Sequence, residues 1–230
     1  MDANYKDSRF IQTAREAGCL IISGLEWLLH QALPTFHLFT GKTVPQEISK
    51  KIVDDRIINK TINKPNIALI GFMGSGKTTI GRLLAEKEGF DFFDSDAFIE
   101  KSQGMKIAEI FRKKGEPFFR EREKSIIKKQ IPSAKGRIFS LGGGAVLAKE
   151  NRNIISQHCH VIWLWVSVQA ALKRINISSR PLLTHHDSEM NIEKILSERI
   201  PLYALTSDLV INTETGSAEE IARRIKNEMD

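Results

Sequence analysis

Asn66-Ile-Ala-Leu-Ile70, followed by Gly71-Phe-Met-Gly74-Ser75-Gly76-Lys77-Thr78-Thr79, is the stretch that decides the fold. Its first five residues form a short apolar, partly β-branched run that predicts a buried strand. The run empties into G-x-x-x-x-G-K-[ST], the pattern of a phosphate-binding loop. Glycines at 71, 74 and 76 let the backbone turn its N–H groups onto a polyphosphate, and the following helix presents its positive end to the same charge. Gly74, Ser75, Gly76, Lys77, Thr78 and Thr79 are therefore the candidate ATP-binding residues. Lys77 is expected to reach the β- and γ-phosphates, and Thr78 to offer its hydroxyl to a bridging Mg2+. An accidental glycine-rich turn would not need the strand before it and the helix after it, and both patterns are present.

The composition is that of an ordinary soluble globular chain: 230 residues, 41% hydrophobic and 27% charged. The net charge of +6 is spread out, with no polybasic tail, so a nucleic-acid partner is not expected. One segment, Arg112 to Lys129, sets eight Lys/Arg against three Glu, most of it a solvated helix face with some charge available to an anionic ligand. Cys19 and Cys159 are too few and too isolated for a disulfide framework or a zinc site, and both read as buried thiols. No apolar run approaches a membrane span and the N-terminus lacks the order of a signal peptide, so no membrane association and a cytoplasmic location are expected.

Downstream of the loop, strands and helices alternate. Thr78 to Glu88 predicts a helix capped by Gly89, and Phe90 to Phe93 a strand that delivers Asp94-Ser95-Asp96 at its carboxyl end. Two helices follow at Ala97 to Gln103 and Ile107 to Lys113, closed by Gly104 and Gly115, and a longer one at Phe118 to Lys129. Arg137 to Leu141 is a strand running into Gly142-Gly143-Gly144. His160 to Val166 is a fourth strand, Val168 to Ile175 a helix, and Ile177 to Met190 irregular lid material. A helix from Asn191 is expected to break at Pro201; Asp208 to Asn212 is the fifth strand, and Ser217-x-x-Glu220 a capping box opening the last helix. This order predicts a three-layer α/β domain with a parallel sheet over residues 65–230.

Two carboxylates at one strand end suit phosphoryl transfer to an alcohol, where the nucleotide is cradled, a metal placed and the acceptor hydroxyl aligned. Either Asp94 or Asp96 could instead merely cap the helix that follows.

Six motifs in order resemble shikimate kinase: Gly71 to Thr78, Asp94-Ser-Asp96, Phe119-Arg120-Glu121-Arg122-Glu123, Gly142-Gly143-Gly144, Arg180-Pro-Leu-Leu183 and Glu198-Arg199-Ile-Pro-Leu-Tyr203. The resemblance covers about 165 residues. It implies the P-loop kinase fold, with a five-stranded parallel sheet and a mobile lid, and ATP-dependent phosphorylation of the shikimate 3-hydroxyl on the way to aromatic amino acids. It further implies Asp94 and Thr78 at the Mg2+ site and Asp96 on the acceptor hydroxyl as base or orienter. Arg120 and Arg199 would be the clamp on the substrate carboxylate, with Gly142, Gly143 and Gly144 against the ring. Glu123 would orient Arg120, although a surface ion pair would look the same in sequence. Arg180 would close from the lid onto the transferred phosphate, making Lys77, Asp96 and Arg180 the catalytic set, and Arg174 would lie against the adenine. A kinase for another small molecule such as gluconate, or a catalytically silent nucleotide-binding module, are the alternatives; the arginine pair and the glycine triplet speak against the first and Lys77, Asp94, Asp96 and Arg120 against the second.

Residues 1–45 resemble something else. Gly24-Leu-Glu-Trp-Leu-Leu-His-Gln31 and Phe36-His-Leu-Phe-Thr-Gly41-Lys are similar to the C-terminal tail of shikimate dehydrogenases. The catalytic lysine–aspartate pair and dinucleotide loop of that family have no counterpart here, so dehydrogenase activity is not expected. The reading is an N-terminal helical extension over 1–45, with Leu25, Leu28, Leu29 and Leu33 sharing one face and Pro34 interrupting it, and a linker over 46–64. The extension's apolar face is a candidate for self-association or docking.

Overall fold

The computed structural model describes residues 9–21, 30–35, 37–38, 43, 64–174 and 188–229. The chain divides into two compact units, Met1–Asn63 and Lys64–Asp230. In the first, helix α1 spans Arg9–Glu16, and residues 30–35 and 37–38 are also helical. That helix runs through Pro34 instead of breaking there; in the same turn the Thr35 hydroxyl donates to the Gln31 carbonyl (2.8 Å), a local bond where the proline removes one. Leu25, Leu28 and Leu29 lie outside the described residues. Cys19, expected to be buried, is exposed, because α1 ends at Glu16 and Gly18 (φ 74°) turns the chain out of the helix just before it.

The second unit carries β1 (Asn66–Ile70), α2 (Lys77–Glu88), β2 (Asp91–Asp94), α3 (Ser95–Gln103), α4 (Ile107–Gln130), β3 (Arg137–Ser140), α5 (Lys149–His158), β4 (Cys159–Trp165), α6 (Val168–Arg174), α7 (Ser188–Thr206), β5 (Leu209–Asn212) and α8 (Ala218–Met229). The five strands form one parallel sheet in the order β2-β3-β1-β4-β5. Strand residues alternate between two apolar layers, as a parallel sheet covered on both faces requires. Ile67, Leu69, Ile138 and Ile162 pack with Ile80 and Leu84 of α2 and Ile221 and Ile225 of α8. Ala68, Ile70, Phe139, Val161 and Trp163 pack with Ile127, Ile155, Leu196 and Tyr203 from α4, α5 and α7. A third, smaller cluster, Ile99, Ile110 and Phe119, joins α3 to α4.

The helices predicted at 107–113 and 118–129 are the two arms of α4, separated as expected at Gly115, whose backbone (φ 81°, ψ 165°) is not helical. Two other helices differ from expectation. Helix α5 is not evident from the sequence because it is polar almost throughout; only Asn151 and Ile155 are buried, and the Asn151 amide donates to the Ala145 carbonyl (2.9 Å). Helix α7 continues through Pro201, since Ile192 and Leu196 before it and Tyr203 after it all sit in one core layer, and that packing outweighs one lost backbone bond. The capping box is present: the Ser217 N–H donates to Glu220 Oε2 (2.8 Å) and the Glu220 N–H to Ser217 Oγ (3.2 Å).

Asn66 begins β1 fully buried and ties three chain segments together. Its amide donates to the carbonyls of Ala134 (2.9 Å) and His158 (3.3 Å), and its Oδ1 accepts from the Arg137 N–H (3.2 Å). Asn66→Ala would leave those backbone groups without these partners, so it is expected to lower the unfolding free energy by about 3 kcal/mol. Urea denaturation of both proteins checks this.

Candidate active site

Three loops leave the carboxyl ends of β1, β2 and β3 side by side. The register pairs Asp94 with Ser140 and Ser140 with Leu69, so the phosphate-binding loop, the Asp94–Asp96 segment and the glycine triplet start at one level. The first loop opens at Gly71 (φ 139°), where an added Cβ would collide with the Leu164 carbonyl of β4, so only glycine fits both the conformation and the space. Lys77 closes the loop on itself: its ammonium donates to the carbonyls of Gly71 (2.9 Å) and Phe72 (2.8 Å).

Asp94 is the last residue of β2 and the N-cap of α3. Its Oδ1 accepts from the N–H groups of Asp96 and Ala97 (3.0 Å each), so the capping role considered for it is real. Its other oxygen, Oδ2, accepts from the Thr78 hydroxyl (2.7 Å), and Ser140 Oγ lies 3.4 Å from Thr78 Oγ1. The cap and the Thr78 contact thus use different oxygens of one carboxylate. Thr78, Asp94 and Ser140 together make a patch of hard oxygen donors, the chemistry that suits Mg2+ completed by phosphate oxygens. Among the described residues no group of three or more His, Cys, Asp or Glu is placed to hold a metal by itself.

Beyond Asp96 lies a second cavity. Arg120 and Arg199 line it together with Asp96, Glu123 and the three glycines, and Met73, Ile107, Phe111 and Phe119 supply its apolar wall. Arg120 is held by two carboxylates: Nε and Nη2 donate to Glu116 Oε1 (3.0 and 2.9 Å), and Nη1 to Glu123 Oε2 (2.9 Å). Burial works against the Arg120 charge, but Glu123 and Glu116 outweigh it and hold the guanidinium above its ordinary pKa. Glu123 is buried itself, and burial pushes its carboxyl up to about 7 against the pull of Arg120. The glycine triplet is pinned from both sides. The Gly142 N–H donates to Ser95 Oγ (2.9 Å), and the Tyr203 hydroxyl donates to the Gly143 carbonyl (2.6 Å). Burial raises the Tyr203 phenol to about 12, so it remains a donor.

The family model for shikimate kinase matches residues 73–230. The chain belongs to the shikimate kinase family. A family member from Moorella thermoacetica is 43% identical over 162 residues, 70% of this chain and 92% of the relative. One from Thermodesulfovibrio yellowstonii is 42% identical over 166 residues, 72% and 95%. Among solved structures, shikimate kinase from Acinetobacter baumannii in complex with shikimate superposes with a TM-score of 0.70 at 38% identity, covering 74% of this chain and 96% of that one. The Aquifex aeolicus enzyme gives 0.62 at 31% identity. The P-loop kinase fold expected from the sequence is therefore the fold of the second unit.

Gly74, Gly76, Lys77, Thr78, Thr79, Asp94 and Asp96 line one cavity, and Asp96, Arg120, Gly142, Gly143, Gly144 and Arg199 the adjoining one. Ser75 is buried inside the loop. Arg174 donates to the Thr213 carbonyl (2.8 Å) and, at 3.4 Å, to the Gly74 carbonyl, strapping the phosphate loop to the end of β5. Arg180, the residue assigned to the lid, lies outside the described residues. Ser95, Ser140 and Tyr203 belong to the site and were not singled out as site residues in the sequence; the only signal for them is that each stands inside or beside a family motif. Gly144 sets a sharp limit. A Cβ there would collide with the Arg120 guanidinium, so Gly144→Ala is expected to lower kinase kcat/KM about a hundredfold while moving the thermal midpoint by less than about 5 °C. Steady-state kinetics and a melting curve on the same sample check both halves.

Proposed function

We propose that this chain transfers the γ-phosphoryl group of ATP to the 3-hydroxyl of shikimate, giving shikimate 3-phosphate and ADP in the route to aromatic amino acids. The observation that carries the reading is that Asp96 and Gly143 line both cavities. One carboxylate thereby stands between a phosphate cradle and a pocket built to receive an anion. Family membership and the shikimate-bound relative from Acinetobacter baumannii support the same substrate.

In this reading the amides of Gly74 to Thr79 and the Lys77 ammonium hold the β- and γ-phosphates, and Arg174 flanks the adenine. Thr78 and Asp94 would hold Mg2+, whose chemistry there would be to neutralise phosphate charge. Arg120 and Arg199 grip the shikimate carboxylate in forked pairs, and the glycine triplet admits the ring close to the backbone. Asp96 accepts the hydrogen bond of the 3-hydroxyl and aligns its oxygen on the γ-phosphorus. As the new O–P bond forms, the proton passes to Asp96 and the bond to the bridging oxygen breaks, with its electron pair leaving on ADP. Arg180 closes over the transferred phosphate and keeps water out. Gluconate is a carboxylate too, so what favours shikimate over it is the family match and the shikimate-bound relative, not the arginine pair by itself.

We further read residues 65–230 as the kinase domain, 46–64 as a linker and 1–45 as an appendage, resembling a dehydrogenase tail, that adds no second activity and serves for docking or self-association. No helix among the described residues is long and apolar enough to cross a membrane, in keeping with a cytoplasmic enzyme. Release of ADP by the full chain with magnesium and ATP should rise strongly with shikimate and not with gluconate; ATP binding without stimulation would overturn the reading. Arg120→Ala should raise the shikimate KM tenfold or more, roughly, with the ATP KM unchanged, and Asp96→Asn should lower kcat by roughly 10²–10⁴-fold. Deleting residues 1–60 should spare turnover.

A further inference from the structure

Glu123 is the more deeply buried of the two acids that line the substrate cavity. Its side chain is 1% exposed, and only Oε2 is engaged, by Arg120; Oε1 has no hydrogen-bond partner among the described residues. That oxygen and Asp96 Oδ1 both flank Gly142: a Cβ there would lie 2.8 Å from Glu123 Oε1 and 2.6 Å from Asp96 Oδ1. The charged and titratable groups facing Glu123 are Arg120 on its own helix, Asp96 on α3, and Arg199 and Tyr203 on α7. Glu116 is a further carboxylate on Arg120, so the two cations that line the cavity, Arg120 and Arg199, are already matched when the acids are ionised.

Shikimate brings another carboxylate. It takes the two guanidinium groups as its partners and adds a negative charge that no further cation lining the cavity offsets. The more buried of the two acids is the one that gives up its charge at least cost. We propose that shikimate binding is coupled to proton uptake from solvent by Glu123, which is neutral in the complex. The proton sits on Oε1, the oxygen that Arg120 leaves unengaged, and relieves the negative charge beside Asp96. This inference rests on the shikimate kinase reading of the pocket.

The sign follows from linkage. With the pocket empty, burial already places the Glu123 carboxyl at about 7 instead of its ordinary 4.5, and an added anion moves it higher. Below that value Glu123 is already protonated and binding takes up nothing. Above it each binding event must draw a proton, so affinity falls as pH rises. The shikimate carboxylate is ionised throughout this range.

Isothermal titration of the full chain with shikimate, without nucleotide, in phosphate, HEPES and Tris at pH 7.5 reads the coupling directly. Expected is uptake of roughly half a proton or more per shikimate, shrinking toward none at pH 5.5. The shikimate KM of the wild type should be flat below about pH 6.5 and rise by up to about tenfold per pH unit above 7. In Glu123→Gln the binding heat should no longer depend on the buffer. Buffer-independent heat in the wild type between pH 7 and 8, in a protein whose ADP release shikimate still stimulates, overturns the coupling alone. Uptake that persists unchanged in Glu123→Gln overturns the assignment to Glu123. Neither binding nor stimulation by shikimate would overturn the kinase reading and this inference together.

Discussion

The register of three parallel strands is the constraint on which everything else here depends. Leu69, Ser140 and Asp94 stand opposite one another in register across β1, β3 and β2. Adjacent strands lie only about 4.8 Å apart, so three chemically different loops emerge within reach of one another. A slip of one residue in β3 would turn the buried faces of Ile138 and Phe139 over and carry Ser140 away from Thr78. The apolar alternation that builds the two core layers is thus also what aligns the polar groups at their edge. Packing and site geometry are one specification, because the sheet cannot satisfy the first without delivering the second.

What those loops deliver is a set of charges held largely out of water. Buried ion pairs rarely add stability, since desolvation takes back most of the Coulombic gain. Their presence around Arg120, Glu123, Asp96 and Arg199 is better understood as preparation for an incoming anion. Glu116 and Glu123 occupy Arg120 from two sides and fix the plane of its guanidinium, so little reorganisation remains when a carboxylate arrives. Tyr203 and Ser95 do the same for the glycine triplet by hydrogen-bonding its carbonyl and amide groups. Positioning by neutral donors and positioning by charges converge on the same few ångströms of backbone.

Residues whose chemistry is carried by local spacing were legible in the sequence. Gly71 to Thr79, Asp94 to Asp96 and Gly142 to Gly144 each form a contiguous signal next to a strand, and the structure brings them to one sheet edge. Ser140 and Tyr203 were not legible as site residues because their roles are long-range contacts. A serine at the end of a strand and a tyrosine after a helical proline say nothing locally about Thr78 or Gly143. The same holds for α5, whose polar sequence gives no periodicity to detect, and for Pro201, where a strong local rule loses to the burial of Tyr203. Asp94 shows the limit from the other side. Capping and site membership looked like rival readings of one aspartate, yet its two oxygens satisfy both at once.

Gly115 shows how a single backbone irregularity assembles the substrate cavity. Phe111 and Arg120 are nine residues apart, about two and a half turns of an α-helix, so on an unbroken α4 they would point to opposite sides. Both line the same cavity. The reversal is produced at Gly115, whose φ of 81° and ψ of 165° lie outside the range that side-chain-bearing residues adopt comfortably. A Cβ there would meet nothing closer than Pro117 Cδ at 3.5 Å, so the requirement for glycine is conformational and not steric. Pro117 then falls in the first turn of the resumed helix, where its missing N–H has no partner to lose. From that restart Glu116, Arg120 and Glu123 come to one face by ordinary helical spacing, and the apolar wall before the break and the charged clamp after it look into one space.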